Sequence, residues 1–200
     1  GGMYNYDSSL TLTKCTFTNN SAYDDAGGGM YNKQGSSPTL TDCTFTANWA
    51  YYGGAISNSG SNLSLINCTF TDNSASRGGA MYYSYSSSLI LADCTFMSNS
   101  ADYGGGMYNG EGSSPALTDC TLCDNAPDQI AGSWNDAGGN CVITSCDDCD
   151  RPSDPCPTDL DQNGITDGSD LGAFFIFWGE CPLDGCPADF YDDGTVDSID

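Results

Sequence analysis

The sequence predicts a mainly β fold, a parallel β-solenoid of about five to six coils followed by a small acidic module. Three observations lead to this prediction. One hexapeptide recurs five times, first as CTFTNN at 15–20 and last as CTLCDN at 120–125. Apolar and polar residues alternate within each repeat. The repeats stop near residue 126, where the composition becomes acidic and richer in cysteine and proline.

The repeat period is about 26 residues, and two anchors agree on it. The cysteine that opens each hexapeptide occurs at Cys15, Cys43, Cys68, Cys94 and Cys120, at intervals of 28, 25, 26 and 26 residues. An apolar residue close after a glycine pair occurs at Met3, Met30, Ile56, Met81 and Met107, at intervals of 27, 26, 25 and 26 residues. A fixed period shared by two anchors indicates stacked, structurally equivalent units.

Each unit contains short strands. A leucine precedes each cysteine by three residues and phenylalanine or leucine follows it by two, so apolar and polar positions alternate. Strands this short cannot bury an apolar face alone, but coils stacked about 4.8 Å apart bury one continuously. The cysteines and phenylalanines are therefore predicted to form inward columns. An outward column of threonines is predicted at Thr16, Thr44, Thr69, Thr95 and Thr121.

Asparagine and glycine mark the predicted corners of each coil. The asparagines are Asn20, Asn48, Asn73, Asn99 and Asn125. A stacked amide donates to one neighbouring coil, accepts from the other and tolerates a left-handed backbone, so we expect an asparagine ladder at left-handed turn positions. Glycine pairs and triplets at 27–29, 53–54, 78–79 and 104–106 suit a corner that needs positive φ or close backbone approach.

The stretches GGGMYN and TLTDCTFTANWA carry a family resemblance. They resemble the GGA(I/L) and FxxN repeats of the polymorphic outer-membrane-protein family, over roughly residues 1–126. The resemblance implies a right-handed parallel β-helix on an exported protein. It leaves the activity open, because β-helices of this kind serve as adhesins, as surface passengers and as polysaccharide-active enzymes.

The 12 cysteines fall into two groups. Five thiols in one in-register column cannot all pair, so we predict a buried, mostly reduced thiol ladder, with disulfides inside the column as the alternative. The remaining cysteines lie where the repeat fails, at Cys123, Cys141, Cys146, Cys149, Cys156, Cys181 and Cys186. For these we predict structural disulfides whose connectivity the sequence leaves open.

The chain is predicted to divide into a β-solenoid at 1–145, a linker rich in cysteine, proline and aspartate at 146–156, and a separate module at 157–200. The stretch QIAGSWNDAGGNCVITSC looks like one degenerate coil. Its apolar residues Ile130, Trp134, Val142 and Ile143 are predicted to cover the end of the apolar core, because terminal repeats must shield what the stack exposes.

The C-terminal module contains DLDQNGITDGSD at 159–170, which has the ligand spacing of an EF-hand loop. Oxygen-bearing side chains stand at loop positions 1, 3, 5, 9 and 12, and a glycine stands at position 6, where the loop turns sharply. The predicted calcium ligands are Asp159, Asp161, Asn163, Asp167 and Asp170, with the backbone carbonyl of Ile165 at position 7.

A second loop, DFYDDGTVDSID at 189–200, repeats this spacing less completely. Its predicted ligands are Asp189, Asp193, Thr195, Asp197 and Asp200. Position 3 is Tyr191, and a phenol is a poor calcium ligand, so we expect this site to bind calcium more weakly.

Two such loops with FWG between them resemble type I dockerin modules over roughly residues 157–200. The resemblance implies an EF-hand-like module with calcium as its cofactor, docking to a protein partner as dockerins dock to cohesins. A second copy of the chain is another candidate partner. The chain begins inside a repeat, so its first coil is expected to offer an open edge. Either the module of the next subunit covers this edge, giving head-to-tail filaments, or the protein is a single-chain surface protein whose flanking sequence supplies the caps.

Charge and composition exclude some classes of partner. The chain contains four Lys and Arg residues and 27 Asp and Glu residues, so its formal net charge is -23. Such a surface repels nucleic acid and anionic lipid and attracts cations. No apolar run approaches the roughly 20 residues of a membrane-spanning helix. The cysteines and the start inside a repeat lead us to expect a secreted, extracellular or cell-surface protein whose export signal lies upstream.

The sequence favours a non-catalytic structural or adhesive protein. A polysaccharide lyase or hydrolase needs a basic residue or a carboxylate pair on one face, and the chain has no histidine. Asp93 and Asp119 are predicted neighbours in an outward column, so a carbohydrate-active enzyme is the alternative. Ser57 interrupts a predicted stripe of tyrosines that either stacks on glycans or only packs the corners. These tyrosines are Tyr4, Tyr31, Tyr82 and Tyr108.

Overall fold

A computed structural model describes residues 1–85, 87, 89–110, 112–146, 179–180 and 195–196. The chain divides into two compact units, Gly1–Asp150 and Arg151–Asp200. In the second unit the described residues are β22 (Gly179–Glu180) and β23 (Thr195–Val196), which pair antiparallel. The predicted linker at 146–156 lies outside the described residues apart from Cys146, and its boundaries stay predictions.

The first unit is a stack of coils built from strands of two to six residues. The first coil contains β1 (Met3–Tyr6), β2 (Thr11–Thr13), β3 (Thr16–Thr18) and β4 (Ser21–Ala26). The second contains β5 (Met30–Lys33), β6 (Thr39–Thr41), β7 (Thr44–Thr46) and β8 (Trp49–Tyr52). The third contains β9 (Ile56–Ser59), β10 (Leu63–Ile66), β11 (Thr69–Thr71) and β12 (Ser74–Arg77).

Each later coil contains three strands, and its fourth side has no strand among the described residues. The fourth contains β13 (Met81–Ser84), β14 (Leu89–Ala92) and β15 (Thr95–Met97). The fifth contains β16 (Met107–Asn109), β17 (Ala116–Thr118) and β18 (Thr121–Cys123). A sixth, degenerate coil contains β19 (Ile130–Ala131), β20 (Asn135–Asp136) and β21 (Cys141–Val142).

Equivalent strands of successive coils pair in parallel. The first strand of every coil builds sheet A, the second builds sheet B and the third builds sheet C, each with six strands. The fourth strands β4, β8 and β12 build the shorter sheet D, which isolated bridges continue through Ser100, Tyr103 and Ala126. The predicted parallel β-solenoid is confirmed.

The register places each residue opposite its own equivalent in the next coil. Met3 pairs with Met30, Leu12 with Leu40, and Thr16 with Thr44. Phe17, Phe45, Phe70 and Phe96 stack face to face, with ring centroids 4.6, 5.1 and 4.5 Å apart in that order. The predicted inward columns are confirmed. From the second coil to the fifth their apolar side chains are fully buried.

The cysteines behave as predicted within the described residues. The five repeat cysteines are free thiols, and from Cys43 onward they are buried. Each of these buried thiols donates a hydrogen bond to a carbonyl two residues earlier, as Cys43 Sγ does to Thr41 O at 3.3 Å. Beyond the repeats, Cys123 is bonded to Cys146, and Cys141 is also disulfide-bonded. The other four predicted disulfide cysteines lie outside the described residues.

The sixth coil covers the end of the core, as predicted. Its strands β19, β20 and β21 pair with β16, β17 and β18. Ile130, Trp134 and Val142 pack against the buried cluster, and Ile143 is half-buried. In the part of the chain that the structure describes, no helix has the length and apolarity to cross a membrane.

The asparagine ladder is continuous and satisfies the backbone as well as itself. Asn73 Nδ2 donates to Asn99 Oδ1 and to the carbonyl of Phe45, both at 3.0 Å. Asn73 Oδ1 accepts from the backbone N–H and from the Nδ2 of Asn48, both at 3.0 Å. Each rung therefore ties together three coils.

The expected backbone conformation of the ladder is wrong. The left-handed residue is the one before each ladder asparagine, and these residues are Asn19, Ala47, Asp72, Ser98 and Asp124, with φ near 54–55°. The ladder amides are turned inward, where they meet buried backbone groups. A bend one residue earlier aims each amide at the core, and the bend itself needs no asparagine, since Ala47 and Ser98 occupy it.

The glycine corners divide the two predicted roles between neighbouring residues. Gly53 has φ +63°, a conformation that glycine adopts without steric cost. Gly54 lies against the next coil, where an added Cβ would stand 2.3 Å from Gly79 O and 2.5 Å from Ser74 O. Both predicted reasons for glycine are confirmed, one at each position.

A second inward row of polar side chains was not predicted. It runs along sheet A behind the tyrosine column and consists of Asn5, Asn32, Asn58, Tyr83 and Asn109. Tyr83 is completely buried and its hydroxyl has no hydrogen-bond partner, and neither do Asn58 Oδ1 and Asn109 Oδ1. Buried polar atoms are normally hydrogen-bonded, so these three atoms are exceptions within the described core.

Candidate functional site

The outer face of sheet A carries the predicted tyrosine stripe. Strand alternation turns the methionines, the asparagines and Tyr83 of this sheet inward and its other tyrosines outward. Tyr4 and Tyr31 meet edge to face with ring centroids 5.5 Å apart, and Tyr82 and Tyr108 stack at 5.5 Å. The structure therefore places the four predicted tyrosines in one column, as two contacting pairs separated by Ser57.

The gap at Ser57 is filled from across the glycine corner, and Ser57 is only 1% exposed. In register, Ser57 lies between Tyr31 and Tyr82. The ring of Tyr52, at the end of β8, approaches Tyr82 to a centroid distance of 4.7 Å and meets Tyr51 edge to face. Sequence reasoning missed Tyr52, although its position directly before Gly53 is equivalent to that of Tyr103 before Gly104.

Two of the chain's four cations lie on this face, and both rest on tyrosine rings. Lys33 Nζ lies 5.8 Å from the centroid of Tyr31. The guanidinium of Arg77 lies 5.5 Å from the centroid of Tyr108 and 5.8 Å from that of Tyr103. Each cation is thereby engaged by the negative face of an aromatic ring.

Three adjoining cavities form an open groove over the first four coils. The central one, of about 260 Å³, is lined by Tyr31, Tyr52, Ser57, Tyr82 and Tyr85, with Asp25, Ser59 and Ser84 at its edges. A cavity of about 470 Å³ continues past Lys33 and Gln34, and one of about 270 Å³ continues past Tyr4. Tyr31 lines all three. We call this surface the tyrosine groove.

The groove combines aromatic faces with neutral hydrogen-bonding groups. Serine hydroxyls and phenols both donate and accept. Burial, reinforced by Tyr52 and Tyr108, raises the pKa of Tyr82 above its ordinary value, against the lowering effect of Arg77. This phenol is therefore neutral and able to donate at physiological pH.

Exposed aromatic side chains concentrate on one side of the solenoid. Among the described residues, the exposed tyrosines and tryptophan lie on sheets A and D or in the loop after β13: Tyr4, Tyr6, Tyr23, Trp49, Tyr51, Tyr85 and Tyr103. Tyr85 is 78% exposed. Sheets B and C present threonines, serines and two isoleucines, Ile66 and Ile90. This asymmetry is not needed for the core, which all the sheets share.

The two candidate catalytic carboxylates do not belong to the groove. Asp93 lies between β14 and β15, and Asp119 between β17 and β18, so both stand at the corner between sheets B and C. Both are exposed and left-handed, with φ 55° and 51°. Their predicted outward position is confirmed, and they do not face the tyrosines.

The predicted calcium ligands lie outside the described residues. For Thr195, the structure describes only that it belongs to strand β23. Elsewhere in the described chain, no group of three or more carboxylates or cysteines is arranged to hold a metal ion. The calcium sites therefore stay predictions from the sequence.

Comparison with known families gives one result that covers most of the chain. The family model of the right-handed β-helix region matches residues 1–148. No curated protein and no solved structure gives a match. The match agrees with the stacked parallel sheets and indicates that the coil is right-handed. The family contains both enzymes and non-enzymes. The chain belongs to the right-handed β-helix family.

Proposed function

We propose that this protein is a non-catalytic, adhesive β-helix of the cell surface or extracellular space that binds carbohydrate in the tyrosine groove. One observation supports this most directly. Neutral tyrosine rings and serine hydroxyls line adjoining cavities on one face of the rigid stack. The disulfide Cys123–Cys146 and the resemblance to polymorphic outer-membrane-protein repeats support export, because disulfides persist in oxidising compartments.

Carbohydrate matches both features of this surface. The apolar C–H face of a sugar ring packs on the electron-rich face of a tyrosine. Its hydroxyls need partners that both donate and accept, which Ser59 and the phenols provide. Sites of this kind are concave and largely apolar, with a few well-placed polar groups that fix orientation.

The carboxylates of the groove favour binding over hydrolysis. Glycosidases generally place two carboxyl groups on opposite sides of the scissile bond. Among the described side chains, Asp25 is the one carboxylate in the groove, and it lines two of the three cavities. A carbohydrate-active enzyme built on Asp93 and Asp119 is the alternative, and it predicts turnover at the corner between sheets B and C.

Affinity electrophoresis against soluble polysaccharides tests the proposal. We expect at least one polysaccharide to retard the protein, with no release of reducing ends. Tyr31→Ala removes the ring shared by all three cavities, and a stacked pair contributes about 1 kcal/mol, so affinity falls roughly fivefold to tenfold. Tyr23→Ala, an exposed tyrosine outside the cavities, serves as the control and leaves retardation unchanged.

Three results would count against this function. Product release that disappears in Asp93→Asn or Asp119→Asn would favour the enzyme. Equal losses in Tyr31→Ala and Tyr23→Ala would place binding elsewhere. If no polysaccharide retards the protein and none changes its unfolding temperature, carbohydrate is not the ligand.

We propose further that residues 157–200 form a calcium-dependent docking module, for a protein partner or for a second copy of the chain. The support is the ligand spacing in the loops at 159–170 and 189–200 and the resemblance to type I dockerins. Calcium would be held by carboxylates that repel one another when the ion is absent, so the metal orders the module and links docking to calcium.

Calorimetric titration with calcium is expected to show one tight step and one weaker step. Asp161→Ala should remove the tight step, and Tyr191→Asp should strengthen the weak one because it supplies a carboxylate at position 3. Sedimentation with calcium and with chelator then reports self-docking. A chain that binds no calcium would exclude the module, whereas calcium binding without a change in sedimentation would leave a different protein as the partner.

A further inference from the structure

We infer that the thiol ladder is a binding site for soft monovalent cations, Cu(I) or Ag(I), each held in line between the sulfurs of two successive coils. The ladder consists of five free thiols, which are Cys15, Cys43, Cys68, Cys94 and Cys120. They lie at the corner between sheets B and C and not among the residues that line the tyrosine groove, so this site is independent of the proposed carbohydrate function.

The spacing of the coils suits a metal ion bound to two sulfurs in line. The strands that follow the ladder cysteines pair in register, Thr16 with Thr44 and Thr69 with Thr95, so each cysteine lies opposite its equivalent in the next coil. The phenylalanine column two residues further along has ring centroids 4.6, 5.1 and 4.5 Å apart. A zinc–thiolate bond is about 2.3 Å long, so two metal–sulfur bonds of this length span about 4.6 Å end to end. One ion therefore fits between two successive sulfurs without moving the coils.

The side chains of the ladder face one another along the stack. The thiol of Cys94 interacts with the thiols of both Cys68 and Cys120. Cys68 Sγ also lies 3.4 Å from Ile66 O and 3.6 Å from Leu40 O, a carbonyl of the preceding coil. Because carbonyl oxygens carry partial negative charge, they favour a cation beside the sulfur once the thiol proton has left.

The ligand set determines the class of ion. A structural zinc site has four ligands in a tetrahedron, whereas a straight column offers an ion one sulfur above and one below. Among the described residues, no group of three or more cysteines or carboxylates is arranged to hold a metal ion. Two sulfurs in line suit cations that are soft and accept two ligands, as Cu(I) and Ag(I) do, because soft ions prefer thiolate sulfur.

The surface beside the ladder attracts cations. Carboxylates stand directly before three of the ladder cysteines, at Asp42, Asp93 and Asp119. The charge of Asp42 acts on the thiol of Cys68, and the charge of Asp93 acts on that of Cys120. A line of negative charge raises the local concentration of cations at this corner. Each bound ion displaces one proton from each of its two thiols to the solvent, so binding tightens as the pH rises.

Pairing predicts a stoichiometry that depends on position in the ladder. Each ion uses two neighbouring thiols, so the five free thiols hold two ions and leave one thiol over. Removing the first, third or fifth thiol leaves two neighbouring pairs, whereas removing the second or fourth leaves one. Native mass spectrometry of the full chain with Ag(I) counts the bound ions. We expect Cys68→Ala to bind as many ions as the unsubstituted protein, and Cys94→Ala to bind one fewer.

The two variants are matched controls for each other, because Cys68 and Cys94 are both completely buried and lose the same sulfur atom. Circular dichroism checks that each variant keeps the β-helix. Should Cys94→Ala not fold, Cys43→Ala supplies the other even position and should also lose one ion. The double variant Cys43→Ala/Cys94→Ala keeps three ladder thiols but no neighbouring pair, so it should bind two Ag(I) fewer. Zn²⁺ binding should be the same in the double variant and in the unsubstituted protein.

Each other outcome has a distinct meaning. Equal losses of Ag(I) in Cys68→Ala and Cys94→Ala overturn binding by pairs of thiols. The same Ag(I) count in the double variant and in the unsubstituted protein overturns the ladder as a metal site. A loss of Zn²⁺ in the double variant as large as its loss of Ag(I) overturns the class of ion. All three results leave the carbohydrate function untouched, because the polysaccharide measurements do not depend on these thiols.

Discussion

Gly54→Ala is expected to destabilise the β-helix by at least about 3 kcal/mol, because the added methyl group has no space. Its Cβ would lie 2.3 Å from Gly79 O, 2.5 Å from Ser74 O and 2.8 Å from Ser74 N. All three atoms belong to the backbone of the next coil, which the inter-strand hydrogen bonds hold in place. In a stacked architecture each coil depends on its neighbours, so forcing these two layers of backbone apart weakens the whole stack.

Thermal unfolding followed by circular dichroism measures this effect, with a midpoint expected to fall by about 6–12 °C. Gly60→Ala is the matched control. Gly60 has φ +60° but nothing within 4 Å of its added Cβ, so its substitution should cost only the left-handed backbone penalty of about 1–2 kcal/mol. A larger loss at Gly60 than at Gly54 would contradict the close-packing explanation.

Asn73→Ala is expected to destabilise the chain by about 4 kcal/mol or more. The substitution removes four hydrogen bonds, those to Phe45 O and Asn99 Oδ1 and those from the Asn48 backbone N–H and Asn48 Nδ2. Asn99 Oδ1 still accepts from the Asn73 backbone N–H and Asn48 Nδ2 still donates to Phe17 O, so each of them loses one of two bonds, at about 1 kcal/mol per bond. Leaving a buried polar group unpaired costs about 1–3 kcal/mol. The site is completely buried, and water cannot readily replace the amide in a column of stacked coils.

Asn73→Asp separates hydrogen-bond chemistry from shape. Aspartate has the same size, but a carboxylate only accepts and would set its second oxygen against Phe45 O and Asn99 Oδ1. It should therefore destabilise at least as much as alanine. Asn135→Ala, at an exposed asparagine, should stay within about 0.5 kcal/mol of the unsubstituted protein. An Asn73→Asp protein of unchanged stability would show that the ladder amides are not needed as donors.

The period of the repeat determines most of the fold. In a solenoid the neighbour of a residue is its own equivalent one coil away, as Phe45 is to Phe17 and Phe70. Aligning the repeats with one another therefore predicts which residues of neighbouring coils are in contact. The same reasoning identified the thiol ladder, the asparagine ladder and the covering sixth coil around Trp134.

The backbone at the corners was less accessible to sequence reasoning. The ladder asparagines tolerate a left-handed conformation, yet the bend lies one residue earlier, at positions such as Ala47. Backbone conformational propensity favours asparagine at the bend. The carbonyl of Phe45 and the backbone N–H of Asn48, however, need a hydrogen-bond partner inside the coil, and the side-chain amide of Asn73 provides it. The requirement to satisfy buried backbone groups prevailed over local preference.

The candidate site shows the same division. The sequence alone identified the tyrosine column and its break at Ser57, since both lie at fixed positions of the period. It did not identify Tyr52 as a wall of the groove, because that contact crosses a corner and joins two different columns. The angle between sheets A and D, which the period does not encode, decides which side chains meet there.

What the sequence by itself determined is what repeats: the coil length, the inward and outward positions, the free ladder thiols and the stacking of like on like. It also carries the calcium prediction, because an EF-hand loop collects its ligands within twelve consecutive residues. Only the tertiary structure decided where different columns meet, and so placed Tyr52 against Tyr82 and kept Asp93 and Asp119 away from the groove. The physical reason is that like-on-like contacts follow from the period, whereas contacts across a corner follow from the path of the backbone around it.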